Sequence, residues 1–478
     1  MNNPTTQTTT TMTELSRPAP LPPRRTDAPR GPVASGTWRW EVEASGPSDP
    51  WDRLDEASQH ADWFAWHDGR RGSTYVAWGA VDRLTPSGAS RFADVREWCA
   101  ALVERLQPDA PGLTWGLPLA LGGFAFAPRH VEPGARWRRW PDAAFLVPET
   151  IVARQPTGTT VTATMHPPAG WNAPPPPRSG PPPRPDPAPS ATRHDGIESQ
   201  RYYERLVAGT LDRIEGGALQ KAVVARPATM AAGRDRHFDP VAVLRALRDG
   251  HPRALCFAMA RGGEVFLGAS PETLVAMRGG SLATQAVAGT TKADEDEGGL
   301  RLRRSDKDDH EHALVVESIE RALTPLCDEV TVGPRRLARA GDVHHIVTGI
   351  DATPRPGTTV VDAVAALHPT AALCGTPRAE AAAWIAEHEG FDRGWYGAPI
   401  GWLGPDGDGV FAVAIRSVLL SRSEATAFVG AGIVRGSSPD AEWRETEAKL
   451  GPVRRAIAAG CVDDGAELNL DAANGGSP

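Results

Sequence analysis

Apolar and polar positions follow two rhythms along the chain. Short runs rich in aromatic and β-branched residues at Thr37–Val42, Thr74–Trp78 and Phe145–Val152 predict strands. A period near 3.6 around Asp94–Leu106 predicts a helix. The longer patterned region, 198–460, interleaves the two. Ala222–Ala225, Glu264–Gly268, Gly409–Leu420 and Thr426–Val434 read as strands; Arg201–Glu215, Asp308–Leu326, Arg378–Glu389 and Pro439–Ala459 read as helices. Elsewhere the pattern lapses. Residues 1–35, rich in Thr, Pro and Arg, read as a disordered tail, and 463–478 as a flexible C-terminal tail. Residues 166–192 hold a proline-rich linker or loop, because proline fixes φ and removes backbone donors. The folded segments so bounded are 36–165 and 193–462, and no repeat of 20–50 residues is visible.

Composition narrows the class. Of 478 residues, 40% are hydrophobic and 23% charged, which is globular rather than disordered. A net charge of −8 argues against nucleic acid or an anionic membrane as partner. No apolar run approaches the ~18 residues that span a bilayer. The opening MNNPTTQTTTTMTEL lacks a basic run followed by an apolar one, so no secretory signal is expected. Cys99, Cys256, Cys327, Cys374 and Cys461 are dispersed and odd in number, with no CxxC, which disfavours a disulfide framework or structural zinc. The expectation is a reduced, cytoplasmic protein.

Several residues could carry chemistry. Lys221 heads the β-branched run in LQKAVVARP. A lysine carried into a partly apolar site can act as a general base; one that snorkels to water from a strand end is only structural. In FLGASPETL a turn leads straight to Glu272, which could be a general acid held in a cleft or a glutamate in a first helical turn after Pro271. In KDDHEHALVVESIERAL, Val315 and Ile319 mark an apolar face, and one turn back Glu311 falls on it. An inward carboxylate needs a divalent cation or an arginine. His310 and His312 flank it, a weak zinc signal. In SSPDAEWRETEAKL, Ser438 suits an N-cap and Pro439 the first turn. Glu442, Glu445 and Lys449 share one face beside the apolar one, either as site residues or as an exposed ion-paired row. VGAGIVRGSS places Gly430 and Gly432 where backbone could approach a ligand closely. Arg416, inside an apolar run, calls for an anion.

Singly each signal is ambiguous, but their order and wording are specific. KAVVAR, FLGASPETL, AVAGTT, KDDHEHALVVESI, LHPTAALCGTPR, DRGWYGAPIGW, DGVFAVAIRS, VGAGIV and SSPDAEWRETEAKL together resemble the chorismate-utilising enzymes, over about 198–460, with LALGGFAFAP touching the N-terminal part. Anthranilate-type members carry glutamine where Lys221 stands, and aminodeoxychorismate-type members lysine where Ala288 stands. The pair found here is similar to the water-adding isochorismate synthases of the menaquinone and siderophore pathways.

The resemblance implies an α+β fold: large antiparallel sheets in a sandwich, helices outside and a central cleft. It implies that Lys221 activates a water attacking C2 of chorismate and that Glu272 protonates the departing C4 hydroxyl. Glu311 and Glu445 would hold Mg2+. Arg416, Tyr396, Lys449 and the Gly430 and Gly432 amides would grip the substrate carboxylates with help from the Gly289–Thr290 turn, and His368 would line the pocket. No glutamine amidotransferase subunit is required, and a monomer or homodimer is expected. Salicylate synthase, which adds pyruvate elimination, and a silent chorismate-binding protein are the alternatives; the intact Lys221, Glu272, Glu311 and Glu445 set disfavours the latter. Three features depart from the family: Thr273 where arginine is usual, Gln285 where glutamate is common, and the length of the proline-rich insertion.

Overall fold

Two antiparallel sheets take up the strand-forming runs in a computed structural model that describes residues 37–464 except 47, 107–115, 129–135, 155–156, 172, 175–196, 293–298 and 341–342. The expected N-terminal tail, most of the proline-rich segment and nearly all of the C-terminal tail lie outside the described residues. Asp463, placed at the start of that tail, instead ends a short strand, Cys461–Asp463, paired with Arg236–Phe238.

The first sheet has eleven strands. In spatial order they are Arg39–Gly46, Thr160–His166, Thr150–Arg154, Ser73–Trp78, Trp63–Asp68, Leu255–Arg261, Glu264–Ser270, Ser417–Leu420, Glu424–Val434, Lys221–Ala231 and Gly375–Thr376. The second has ten, running from Cys327–Val332 through Val343–Pro354, Ser281–Lys292, Thr273–Arg278, Gly409–Val413, Pro399–Leu403, Ala120–Phe124 and Ala143–Val147 to Asp82–Leu84, with Arg336–Ala340 also on Val343–Pro354. Both sheets mix strands from either side of the proline-rich segment.

The central strands of both sheets are buried on both faces and so read as nearly continuous apolar runs, whereas edge strands such as Cys327–Val332 leave alternate or more residues exposed. Phe64, Trp66, Tyr75, Leu146, Ile400 and Trp402 fill the layer between them. Tyr75 meets Trp402 edge-on across that layer at 5.7 Å, a pairing worth about 0.5–1.5 kcal/mol beyond area burial. Alternate residues face outward to the helices. Phe145 packs in a cluster with Tyr203 of the Ile197–Glu215 helix and Val315 of the Asp306–Leu323 helix, whereas neighbouring Leu146 points between the sheets. On the far side, Trp63 and Ala65 share a cluster with Leu244 and Leu450 from the Pro240–Gly250 and Pro439–Ala459 helices. The architecture is thus an α+β sandwich with helices outside.

Three runs expected as single strands or strand-plus-helix switch sheets instead. Phe145–Val152 breaks after Val147 and resumes at Thr150 in the other sheet. Glu264–Ser270 ends before Pro271–Glu272, and Thr273–Arg278 resumes as a strand, not a helix, in the second sheet. Gly409–Leu420 divides into Gly409–Val413 and Ser417–Leu420, again in different sheets. The cause is local in the last case: Arg416 takes a left-handed φ of 49°, which a non-glycine residue in a regular strand does not hold. Apolar periodicity cannot register such a crossing, because both halves stay buried.

Candidate active site

Two of those crossings lie side by side. Ala269 N–H donates to Arg416 O at 3.2 Å, and Val413 N–H to Glu272 O at 3.1 Å. Beyond them the Ser417–Leu420 strand pairs with Glu424–Val434 only as far as Phe428. A cavity of about 220 Å³ opens there, closed by the Asp306–Leu323 and Pro439–Ala459 helices. That volume suits a single-ring ligand. Glu272, Gly289, Glu311, Tyr396 and Arg416 line it, as do Gly430, Gly432, Glu445 and Lys449.

Lys221 starts the Lys221–Ala231 strand opposite Val434 and is 1% exposed. It does not snorkel to water. Its Nζ lies 2.9 Å from Glu311 Oε1, a carboxylate 12% exposed on the cavity wall. Gly432 makes this approach feasible: a Cβ there would overlap Glu311 Oε1 and sit 3.1 Å from Lys221 Cε.

Glu272 is 6% exposed at the sheet crossing. Ser270 Oγ accepts from its backbone N–H at 3.1 Å. Burial lifts its carboxyl to about 7, against the opposing pull of Lys221, Lys449 and Arg70. A carboxyl at that level is half protonated at neutrality, which suits proton donation.

The remaining wall is cationic and polar. Among the described residues no carboxylate pairs with Arg416, whose guanidinium burial pushes down to about 10. Its left-handed backbone costs of order 1–3 kcal/mol, a strain that the two crossing hydrogen bonds sustain. A largely desolvated cation with no carboxylate partner among the described residues, beside a cavity, is a site for an anion. Lys449 Nζ reaches Glu445 Oε1 at 2.6 Å and donates to Gly430 O at 3.2 Å, so Glu445 and Lys449 of the row face the cavity, while Glu442 is buried without lining it. Tyr396 stacks on Phe428 with centroids 5.4 Å apart, and burial raises its phenol above the ordinary range.

Other expected residues lie elsewhere or in another form. His368 is not among the lining residues; its Nε2 lies 2.9 Å from Phe126 O, and burial lowers its imidazole to about 3. Gly289 and Thr290 form no turn. They lie inside the Ser281–Lys292 strand at a bulge, where Gly289 has φ 79° and Thr290 pairs opposite His345. His312 Nε2 meets Thr348 Oγ1 at 2.7 Å inside the core, and His312 is not among the lining residues.

Three features escaped the sequence reading. Asp308 lines the cavity, one helical turn before Glu311; extending the inward face from Val315 by seven residues would have found it. His345 lines it from the Val343–Pro354 strand, with burial, Arg416 and Lys449 lowering it to about 3, so it is neutral. Beneath the floor, Glu389 and Arg393 form a fully buried ion pair that also bonds Ala225 N–H, Val223 O and Leu373 O. Nothing local in sequence marks either.

Glu311 and Glu445 approach one cavity from two helices. Among the described residues no group of three or more His, Cys, Asp and Glu is placed to hold a metal. Two hard carboxylate oxygens, completed by water and ligand oxygens, suit Mg2+ and not a closed zinc site.

The model of the family described as chorismate binding enzyme matches residues 37–458. The chain is 36% identical to the salicylate biosynthesis isochorismate synthase of Pseudomonas aeruginosa over 413 residues, covering 80% of this chain and 83% of that one. It is 31% identical to the isochorismate synthase MenF of Bacillus subtilis over 422 residues, covering 82% and 87%. The structure of MenF, the menaquinone-specific isochorismate synthase of Escherichia coli, superposes with a TM-score of 0.68 at 25% identity, covering 89% of this chain and 95% of that one.

Proposed function

This chain belongs to the chorismate binding enzymes, and we propose that within that family it is an isochorismate synthase. It interconverts chorismate and isochorismate: a water oxygen bonds to C2, the two ring double bonds shift, and the C4 hydroxyl leaves as water. Atoms balance because one water enters and one departs.

In this reading Lys221 takes the proton from the attacking water, and Glu272 gives one to the leaving hydroxyl. The two groups sit in different environments, as an acid–base pair must: Glu272 at the sheet crossing, lifted to about 7, and Lys221 at a strand start beside Glu311. Bulk solvent returns the proton from base to acid after turnover. Arg416, Lys449 and Tyr396 face the substrate's two carboxylates, with neutral His345 and the Gly430–Gly432 backbone beside them. Glu311 and Glu445 would hold Mg2+, which when bound would neutralise charge on the ring carboxylate.

The observation that carries the reading is the pairing in one small cavity of a carboxyl poised at about 7 with an unneutralised arginine and a lysine-held carboxylate. It is tested by turnover in H2 18O. Isochorismate formed there should carry the label in its new C2 hydroxyl; product that keeps only substrate oxygen would overturn water addition.

A further inference from the structure

Thr273 and Gln285 meet at one side chain, that of Arg70. Arg70 lies in the turn between the Trp63–Asp68 and Ser73–Trp78 strands, 201 residues before Pro271. Its Nη2 donates to Pro271 O at 3.2 Å and Thr273 Oγ1 at 3.4 Å, and its Nη1 to Gln285 Oε1 at 3.5 Å. Gln285 Nε2 donates to the same Pro271 carbonyl at 3.3 Å. The turn is fixed in its own right. Asp68 Oδ1 accepts from the backbone N–H groups of Arg70 and Arg71 at 3.0 and 3.1 Å, and Gly69 N–H donates to Ala254 O at 3.2 Å.

We infer that Arg70 is a positioning residue for the acid: it clamps the Pro271–Thr273 crossing from behind and places a fixed positive charge beside the Glu272 carboxyl. This rests on the assignment of Glu272 proposed above. A guanidinium presents its donors from two terminal nitrogens of a rigid planar fork, whereas an ammonium presents its three from one nitrogen on a flexible stem and spans less. All three guanidinium acceptors are neutral oxygens; the charged groups around Arg70 are Asp68, which opposes its charge, Arg71 and Arg253, which add to it, and Glu272 itself. Ser270 and Val413 hold the backbone at Glu272; Arg70 and Gln285 hold the carbonyl just before it. The carboxyl therefore sits among three cations: Lys449 on the cavity wall, Lys221, which is not a lining residue, against Glu311, and Arg70 behind. Asp308, Glu311, Glu445 and Arg416 share the cavity walls. Arg70 is not among the lining residues, so its removal leaves substrate contacts in place.

The test uses the full chain with Mg2+ and chorismate, comparing Arg70→Met, Arg70→Lys, Thr273→Val and Glu272→Gln by kcat, KM, Tm and the pH dependence of kcat. Arg70→Met should lower kcat roughly 10- to 100-fold, since small misplacement of an acid is that costly. KM should stay within about twofold, as expected when an interaction used only in the transition state is lost. Removing a cation beside a carboxyl raises its pKa, so the alkaline limb should move to higher pH. Arg70→Lys should keep the limb but recover only part of kcat, and Thr273→Val should lower kcat with the limb unmoved. A purely structural role would lower Tm and kcat together without moving the limb, and that result overturns the inference. Should Arg70→Met not fold, wild-type kcat in both Arg70→Lys and Thr273→Val overturns it equally. If Glu272→Gln keeps the wild-type limb, it is the acid assignment that fails, whatever Arg70 does.

Discussion

Gly432→Ala separates activity from stability at the centre of the site. The backbone of Gly432 lies outside the left-handed region, so alanine is conformationally allowed there. The added methyl would overlap Glu311 Oε1 and stand 3.3 Å from Glu311 Cδ and 3.1 Å from Lys221 Cε. Ordinary contacts are about 3.5–4.0 Å, so the carboxylate must retreat by roughly 1 Å. A flexible side chain can do this cheaply, and Tm should change by less than about 1 kcal/mol of stability would produce. The retreat stretches the 2.9 Å Lys221–Glu311 contact out of hydrogen-bonding range. Misplacing a base and a metal carboxylate together by that distance should cost about 10²-fold in kcat, or roughly 2.7 kcal/mol of activation. Glu311→Asp, one methylene shorter, relieves the overlap, so the double variant should be more active than Gly432→Ala with the native glutamate. The assay is isochorismate formation at saturating chorismate and Mg2+, with Tm measured in parallel. A kcat within about twofold of wild type would refute the close-approach argument. Gly430→Ala is the control: its Cβ meets the backbone Val224 O at 2.8 Å, so its cost should appear in Tm.

Three further outcomes follow from the geometry. Lys221→Ala should lower kcat about 10²–10⁴-fold as a lost general base; because it also strips a buried carboxylate of its partner, it should cost the fold about 1–3 kcal/mol, read by urea denaturation. Glu272 gives a signed pH dependence. Its raised carboxyl stabilises the fold fully below the ordinary value of 4.5, and that stability is lost as pH rises through about 7, of order 3 kcal/mol in all. Turnover should fall over the same upper range as the acid loses its proton, and Glu272→Gln should be more stable relative to wild type at pH 8 than at pH 5. Breaking the floor by Glu389→Ala leaves Arg393 buried and unpaired and should cost about 3–5 kcal/mol, measured as a fall in denaturation midpoint.

Element type was legible where one period ran unbroken. The helix at Pro439–Ala459 has the expected bounds, with Ser438 capping Ala441 N–H at 3.4 Å and Pro439 in its first turn. Glu311 was legible because a helix repeats its face every turn. The crossings at Pro271–Glu272 and Arg416 were not, because burial on both faces of a sandwich strand removes the alternation that would mark a change of sheet. Glu272 and Arg416 owe their placement to those crossings, so pattern alone could not show that they meet. Arg70 and the Glu389–Arg393 pair were beyond reach for a related reason: their partners are distant in the chain, and a charged residue's partner leaves no periodic trace. Ordered motif wording supplied the rest: it brought Gly289 to the cavity, though within a strand bulge rather than a turn, and it placed His368 in the wall, whereas that ring packs against Phe126.

Product identification tests the central claim most directly. The purified chain, incubated with chorismate and Mg2+ and without ammonia, should yield isochorismate at a stable ratio to chorismate when resolved by chromatography. Salicylate with equimolar pyruvate, formed faster than spontaneous decay, or a folded protein that leaves chorismate unchanged, would contradict it.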